Sequence, residues 1–127
     1  MPALDRLRGL RVVADPASLD RATWSGRAVT VLRCAPDDAF AIGASSVEID
    51  DEHAIIEDER GFVGGWCSLD EVLPHIEWSP PTERPALTQG SIAGVPAKLW
   101  LPDDGDALVL TAAAYADVLG ERLGWRA

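Results

Sequence analysis

The stretch from Trp78 to Leu101 constrains the fold more than any other part of the chain. Its first half contains three prolines, which fix their own φ angles and push the residues before them towards extended conformations. From Ser91 to Leu101 the residues are mostly apolar but are interrupted by Gly94 and Pro96. This pattern predicts two short extended segments that are joined or kinked at residues 93–96.

The size of the chain favours one domain. A chain of 127 residues buries about two thirds of the surface that its unfolded form exposes, so a core can form without disulfides or metal ions. Its composition, 47% hydrophobic and 25% charged, is typical of a folded protein. We therefore predict a single domain over residues 1–127, in which residues 1–25 form a loosely assigned N-terminal segment.

Two hairpins are predicted from alternating strand and turn residues. The first joins residues 28–34 to residues 39–43 through the turn Ala35–Asp38, and the second joins the strand that ends at Leu101 to residues 107–110. Between these hairpins, residues 47–49 have the character of a short edge strand. Residues 54–57 are a firmer strand candidate.

The helix signals are fewer. Leu4, Leu7 and Leu10 recur at intervals of three and predict a short amphipathic turn over residues 3–10. A second short helix is expected from Pro16 to about Trp24, because Asp15 is an N-cap candidate followed by proline.

Two further helices are predicted in the second half of the chain. The capping box Ser68–Glu71 predicts a helix from Leu69 to about Ile76, which Pro74 limits to one or two turns. A helix from Ala112 to about Leu123, with Thr111 as its cap and Gly124 just past its end, is the clearest of the four. Together these patterns predict an α+β fold, with a mainly antiparallel sheet built from hairpins and packed against two or three helices.

The charge of the chain excludes several classes of partner. There are 21 acidic and 11 basic residues, which give a net charge of -10, and Lys98 is the single lysine. Nucleic acids and anionic membranes are bound through clustered lysine and arginine, so neither is expected as a partner. The acidity is compatible with a basic protein partner or a cationic ligand, but keeping a small domain soluble is its simpler explanation.

The cysteines and the first residues indicate the compartment. Cys34 and Cys67 lie in apolar, strand-like stretches and are expected to be buried thiols rather than a disulfide. The N-terminus lacks the basic-then-apolar order of a signal peptide, and no window approaches the roughly eighteen apolar residues of a membrane span. We therefore expect a cytoplasmic protein.

No catalytic or metal-binding constellation is predicted. The acidic residues from Asp50 to Glu59 are the densest set of candidate metal ligands, but they match no calcium loop, and a solvated acidic edge is favoured. Cys67 and His75 could act as nucleophile and base, yet their context is not typical of a cysteine hydrolase. The glycines match neither phosphate-loop motif and are expected in turns and close backbone contacts. We therefore favour a binding role over an activity of its own.

The tryptophans are candidates for an interface. Trp66, Trp78 and Trp100 could line a site for a flat aromatic ligand, but tryptophans in small domains are chiefly core and interface residues. The proline-rich segment from Trp78 to Arg84 is a rigid surface of the kind that a partner protein could bind.

Four short motifs resemble one known family. They are G-F-x-x-x-W at Gly61–Trp66, R-P-A-L-T-Q-G at Arg84–Gly90, A-G-V-P-A-K-L-W-L at Ala93–Leu101 and A-A-Y-A-D-V-L at Ala113–Leu119. In this order the chain resembles the gamma subunit of heterotetrameric sarcosine oxidase. That subunit is related in turn to the folate-binding domain of the aminomethyltransferases. The similarity would cover residues 29–123.

The resemblance implies an α+β accessory subunit that supports a larger flavin-dependent amine oxidase and contributes no catalytic residue. It implies no cofactor bound by this chain alone, with flavin or folate present only in a complex. The expected partners are larger protein subunits or further copies of the chain in a homo-oligomer. The candidate interface residues are Trp78, Arg84, Gln89, Lys98 and Trp100. The alternative is a stand-alone domain that binds a small molecule, folate or an amine, between the sheet and the helix of residues 112–123.

Overall fold

The computed structural model describes residues 2–125, in which seven strands and three short α-helices follow one another along the chain. The strand pairs are antiparallel. The predicted α+β class, with antiparallel β-structure built from hairpins, is confirmed. The elements are β1 (Asp5–Val13), α1 (Pro16–Asp20), β2 (Thr23–Ala35), β3 (Asp38–Glu48), β4 (Ile55–Cys67), α2 (Leu69–Val72), β5 (Ala86–Ile92), β6 (Val95–Leu101), β7 (Ala107–Ala112) and α3 (Ala116–Leu123).

The backbone divides into two compact units. Leu7–Arg60 form one, called here the 7–60 unit, and the described residues on either side of it form the other, called the 61–125 unit. Strands β1 and β4 each contribute residues to both units.

In the 7–60 unit the strand order is β2-β3-β1. The first predicted hairpin is confirmed as β2 and β3, which are longer than expected and pair from Thr23 with Glu48 to Ala35 with Asp38. Residues 47–49 are therefore not a separate edge strand, because Val47 and Glu48 continue β3. The core of this unit consists of Leu10, Val12, Ala14, Leu19, Ala39, Ala41 and Ala44.

The predicted amphipathic turn at residues 3–10 is wrong. This segment enters β1, in which Leu10 and Val12 are buried while Val13 is exposed, so the relevant period is two rather than three or four. Gly9 allows the strand to lie close to β3, since a Cβ atom there would be 2.0 Å from the Ala41 carbonyl oxygen.

The helix predicted from Pro16 to Trp24 is shorter than expected. It begins as predicted, with Asp15 as N-cap accepting a hydrogen bond from the Ser18 N–H, but it ends at Asp20. Trp24 lies in β2, where it pairs with Val47, so the chain is extended rather than helical at this position.

A three-residue ion cluster joins the strands of the 7–60 unit. The Arg11 guanidinium donates from Nε and Nη2 to the two carboxylate oxygens of Asp38, at 2.5 and 2.6 Å, and from Nη1 to Glu59 at 3.1 Å. The hydrogen bond to Asp38 is the main reason why the pKa of Arg11 is raised above its usual value. The cluster is half-buried and links residues that are distant in sequence.

In the 61–125 unit the strand order is β4-β7-β6-β5. The predicted joint between two extended segments at residues 93–96 is a two-residue turn between β5 and β6: Ala93 and Gly94 both have positive φ, 51° and 79°, as a type I′ hairpin turn requires. Strand β5 begins at Ala86, five residues earlier than the apolar pattern indicated. The second predicted hairpin is confirmed as β6 and β7.

One face of this sheet packs against the helices. Val72, Leu119 and Leu123 of α2 and α3 share a core with the inward residues of β6 and β7, which include Leu99 and Val109. Burial of this apolar surface is the main stabilising term in a domain of this kind.

The predicted caps are corrected in detail. Thr111 does not cap a helix; it is buried in β7 and donates to the Pro96 carbonyl oxygen at 2.7 Å. The helix begins at Ala116 after a 3₁₀ turn and ends, as predicted, at Gly124 with φ of 74°. Ser68 is the N-cap of α2, but its hydroxyl bonds to the Glu71 side chain and not to a backbone N–H.

Candidate interaction surface

Strand β6 separates core residues from candidate binding residues by simple alternation. Val95, Ala97, Leu99 and Leu101 are buried, whereas the intervening positions are half-buried or exposed. The intervening residues, Pro96, Lys98 and Trp100, share the face of the strand that points away from the helices.

The register extends this face across the sheet. Trp100 pairs with Leu87 on one side and with Leu108 on the other, and Leu108 pairs in turn with Trp66. Because paired residues lie on the same face, the two tryptophans belong to one cross-strand row, called here the Trp66–Trp100 row. Trp66, the penultimate residue of β4, is 46% exposed, which is a large apolar surface for a residue paired within a sheet.

A polar pair lies next to this row. Gln89 and Lys98 are register partners, and the Lys98 ammonium donates to the Gln89 side-chain oxygen at 2.9 Å. No carboxylate oxygen of residues 2–125 lies within 4.0 Å of that ammonium group. The single lysine of the chain is thus held by a neutral partner on an otherwise apolar strand face.

A groove of about 590 Å³ opens on the same face. Its polar lining residues include Gln89, Lys98, Ser91 and Thr111, and its lining contains no acidic residue. Tyr115, in the 3₁₀ turn before α3, is 42% exposed at its margin. The groove therefore lies where the sheet meets the start of the C-terminal helical segment. Its apolar lining includes Phe62, Pro96, Leu110 and Tyr115.

Trp78 lies elsewhere. Its indole N–H donates to the Ser91 carbonyl oxygen at 2.9 Å, and its ring lies against Gly90, where a Cβ atom would be 2.8 Å from the indole nitrogen. The side chain is half-buried and packs against the core of the 61–125 unit. Trp78 thus holds the segment before β5 against the sheet.

Arg84 is also separate from the other candidates. Its guanidinium donates to the carbonyl oxygens of Pro81 and Glu83, at 2.7 and 2.9 Å, within its own loop. The structure therefore brings Gln89, Lys98 and Trp100 together and leaves Trp78 and Arg84 outside this group. Trp66, which the sequence-based candidates did not include, shares the cross-strand row of Trp100, with the fully buried Leu108 between them.

The cysteines differ in environment. Both are free thiols; Cys67 is buried and Cys34 is half-buried. Burial raises the pKa of Cys67 to about 12, and the nearby carboxylates of Glu71 and Asp106 act in the same direction. At neutral pH this group is a thiol, which is a poor nucleophile.

The acidic segment after β3 is tied to α1. The Asp51 carboxylate accepts hydrogen bonds from the backbone N–H groups of Asp15 and His53, at 2.8 and 2.9 Å, and these two bonds lower its pKa. The Ser18 hydroxyl donates to the Asp50 carbonyl oxygen at 2.9 Å. Part of the predicted acidic edge thus has a structural role. In the described part of the chain, no group of three or more His, Cys, Asp or Glu residues is arranged to hold a metal ion.

Comparisons with known proteins add no relative. No protein-family model matches the chain, and no significant match was found among curated proteins or solved structures. None of the helices within residues 2–125 is long and apolar enough to cross a membrane. The resemblance to the sarcosine oxidase gamma subunit therefore stays a prediction.

Proposed function

We propose that this protein is a non-catalytic interaction domain, an accessory subunit that binds a larger protein through the Trp66–Trp100 row and the adjoining Gln89–Lys98 pair. The observation that carries the proposal is the exposure of Trp66, 46%, in the same cross-strand row as Trp100. Tryptophan is enriched among the residues that dominate protein-protein binding, because one rigid side chain buries a large area.

The setting of the two tryptophans supports this function. Both lie on paired strands, so little backbone ordering is needed when a partner binds. The neighbouring Lys98 and Gln89 would contribute polar contacts at the margin of an apolar centre, which is the usual composition of an interface.

The partner class follows from the family resemblance. We propose a larger subunit of a flavin-dependent amine oxidase complex in the cytoplasm, with any flavin or folate held by the complex and none by this chain alone. Further copies of the chain are the alternative occupant of the surface.

A capture experiment tests the interaction. The tagged wild type is used to recover partners from the native host, and the variant with Trp66→Ala and Trp100→Ala is compared with it. We expect recovery of the larger partner to fall by at least about tenfold with the variant, since each hot-spot tryptophan contributes about 2 kcal/mol or more. Flavin absorbance in the recovered complex would support the amine oxidase assignment.

The control variant carries Ile55→Ala and Ile56→Ala, which removes two exposed apolar side chains of the 7–60 unit. It should recover the partner as well as the wild type does. Unchanged recovery by the tryptophan variant, with its circular dichroism spectrum retained, would reject the proposed surface. Size-exclusion chromatography of the purified chain distinguishes self-association from binding to a different subunit.

A second candidate function is the binding of a small molecule, and the groove beside Lys98 favours it. Ligand sites commonly have volumes of about 300–1,000 Å³ and apolar linings with a few polar groups. The groove, at about 590 Å³, has this size and composition.

A further inference from the structure

We propose that the groove beside Lys98 binds a small organic anion, a monocarboxylate with a flat apolar body, and discriminates against amines of the same shape. This inference rests on the second candidate function, the binding of a small molecule. It restricts the class of ligand, given above as a folate or an amine, to anions.

The sign of the charge is the first argument. The chain has 21 acidic residues and one lysine, yet the lining of this groove includes that lysine and no acidic residue. The Lys98 ammonium group donates to a neutral side chain, so a bound carboxylate would add a charge-assisted hydrogen bond that this group does not otherwise make. A bound amine would place two positive groups together.

A second cavity of the same unit provides a contrast. It has a volume of about 430 Å³, and Glu77 and His75 are in its lining. The absence of acidic side chains is thus specific to the groove beside Lys98 when these two cavities are compared.

Gln89 is the second argument. Its side-chain oxygen already accepts the hydrogen bond from Lys98 at 2.9 Å, so its amide nitrogen remains as a donor. Lys98 and Gln89 are register partners on adjacent strands, so both donors are positioned by the sheet. Two neighbouring donors suit the two oxygens of one carboxylate.

The number of positive groups limits the ligand further. A single ammonium group matches one negative charge, whereas nucleotides and other polyphosphates are bound through several cations or a glycine-rich loop. The aromatic and aliphatic lining, with Phe62 and Tyr115, suits a planar ring. The ligand class is therefore an aromatic or other flat monocarboxylate.

Three probes with the same ring test the charge preference. Indole-3-acetate is an anion, indole-3-acetamide is neutral and tryptamine is a cation at neutral pH. Binding is followed by protein NMR shifts at an ionic strength of about 0.15 M, where charges more than about 8 Å away are largely screened. We expect indole-3-acetate to bind at least about tenfold more tightly than the amide, and tryptamine to bind more weakly than either.

Two variants assign the effect to Lys98. Lys98→Met keeps most of the side chain but removes the charge, and should make the anion and the amide bind equally. Arg84→Met is the control, because it removes one positive charge from the same unit at a position outside the groove. Arg84 is exposed, and the hydrogen bonds that the structure gives it stay within its own loop. This variant should leave the preference for the anion unchanged.

Each outcome decides one point. Equal binding of the three probes to the wild type, or a preference for the anion that survives Lys98→Met, overturns the inference but leaves the small-molecule function standing. No shift with any probe at about 10 mM overturns both, because even a weak site with a Kd of about 1 mM would be nearly saturated.

Discussion

At the scale of single residues, Cys67 illustrates how position determines chemistry. Its side chain is 3% exposed at the end of β4 and belongs to the core of the 61–125 unit. A thiol in this setting contributes to packing, since burial opposes ionisation and two carboxylates add to the effect. The Cys67 thiol becomes reactive only when the core opens and exposes it to solvent.

The raised pKa predicts a loss of stability at alkaline pH. The unfolded thiol ionises near its ordinary pKa of 9.0, whereas the folded thiol stays protonated up to about 12. Between these values the folded state binds more protons than the unfolded state, so the free energy of unfolding falls as the pH rises. From about pH 8 to about pH 10 this residue should account for a loss of about 1.4 kcal/mol.

Urea denaturation at the two pH values measures this effect. Cys67→Ala should lose less stability than the wild type over this range, by about 1.4 kcal/mol. Val63→Ala, which shortens a buried side chain of the same core that does not titrate, is the matched control and should lose as much stability over this range as the wild type does. The same pH dependence in the wild type and Cys67→Ala would contradict the prediction.

At the scale of elements, the segment before β5 depends on Trp78 and Gly90. The indole is held by its hydrogen bond to the Ser91 carbonyl oxygen and by close contact with the glycine backbone. Gly90→Ala would place a methyl group 2.8 Å from the indole nitrogen, so the ring must move out of its site. We expect this substitution to lower the free energy of unfolding by about 1–3 kcal/mol.

A double-mutant cycle tests the contact. Trp78→Ala alone should cost about 2 kcal/mol or more, because it removes a large, partly buried side chain. The double variant should lose less free energy of unfolding than the sum of the losses of the two single variants, because the methyl group of Ala no longer meets an indole. Gly90→Ala combined with Arg84→Ala is the control and should be additive. Full additivity in the Trp78 cycle would refute the contact.

Elements whose signals are local could be predicted from the sequence. The turn at Ala93-Gly94 and the glycine after α3 have specific backbone requirements, so the hairpin and the helix end were anticipated. Strand β1 was missed because its pairing with β3 is a long-range interaction that overrides the leucine spacing. Helix α1 was predicted too long for the same reason, since the pairing of Trp24 was not visible locally.

The candidate surface was predictable only in part. Alternation along β6 places Lys98 and Trp100 on one face, and the two-residue turn then sets Gln89 opposite Lys98. Trp66 joins them through the pairing of β4 with β7, which no local pattern specifies. The inward position of Trp78 depends on the path of the loop that carries it. Loop residues follow no periodic pattern from which the orientation of a side chain could be predicted.

At the scale of the whole molecule, the excess of negative charge is expected to oppose folding. The 21 acidic residues exceed the 11 basic ones by ten, so a one-to-one pairing of charges would leave ten carboxylates without a cation. Mutual repulsion among them destabilises a folded chain more than an unfolded one, because folding brings the charges closer together.

Salt should therefore stabilise this protein. Raising the NaCl concentration from about 0.01 M to about 0.15 M shortens the Debye length from about 30 Å to about 8 Å. Repulsion between distant carboxylates is then screened, whereas half-buried contacts such as Arg11–Asp38 are screened less. We expect the free energy of unfolding to rise by about 1 kcal/mol and Tm to rise by about 4 °C.

Differential scanning calorimetry at neutral pH measures the shift in Tm. Near the isoelectric point of about 4.4 the same salt change should have little effect. A fall in Tm with salt at neutral pH would mean that attraction within the ion pairs outweighs the repulsion, and that the acidic excess does not limit stability.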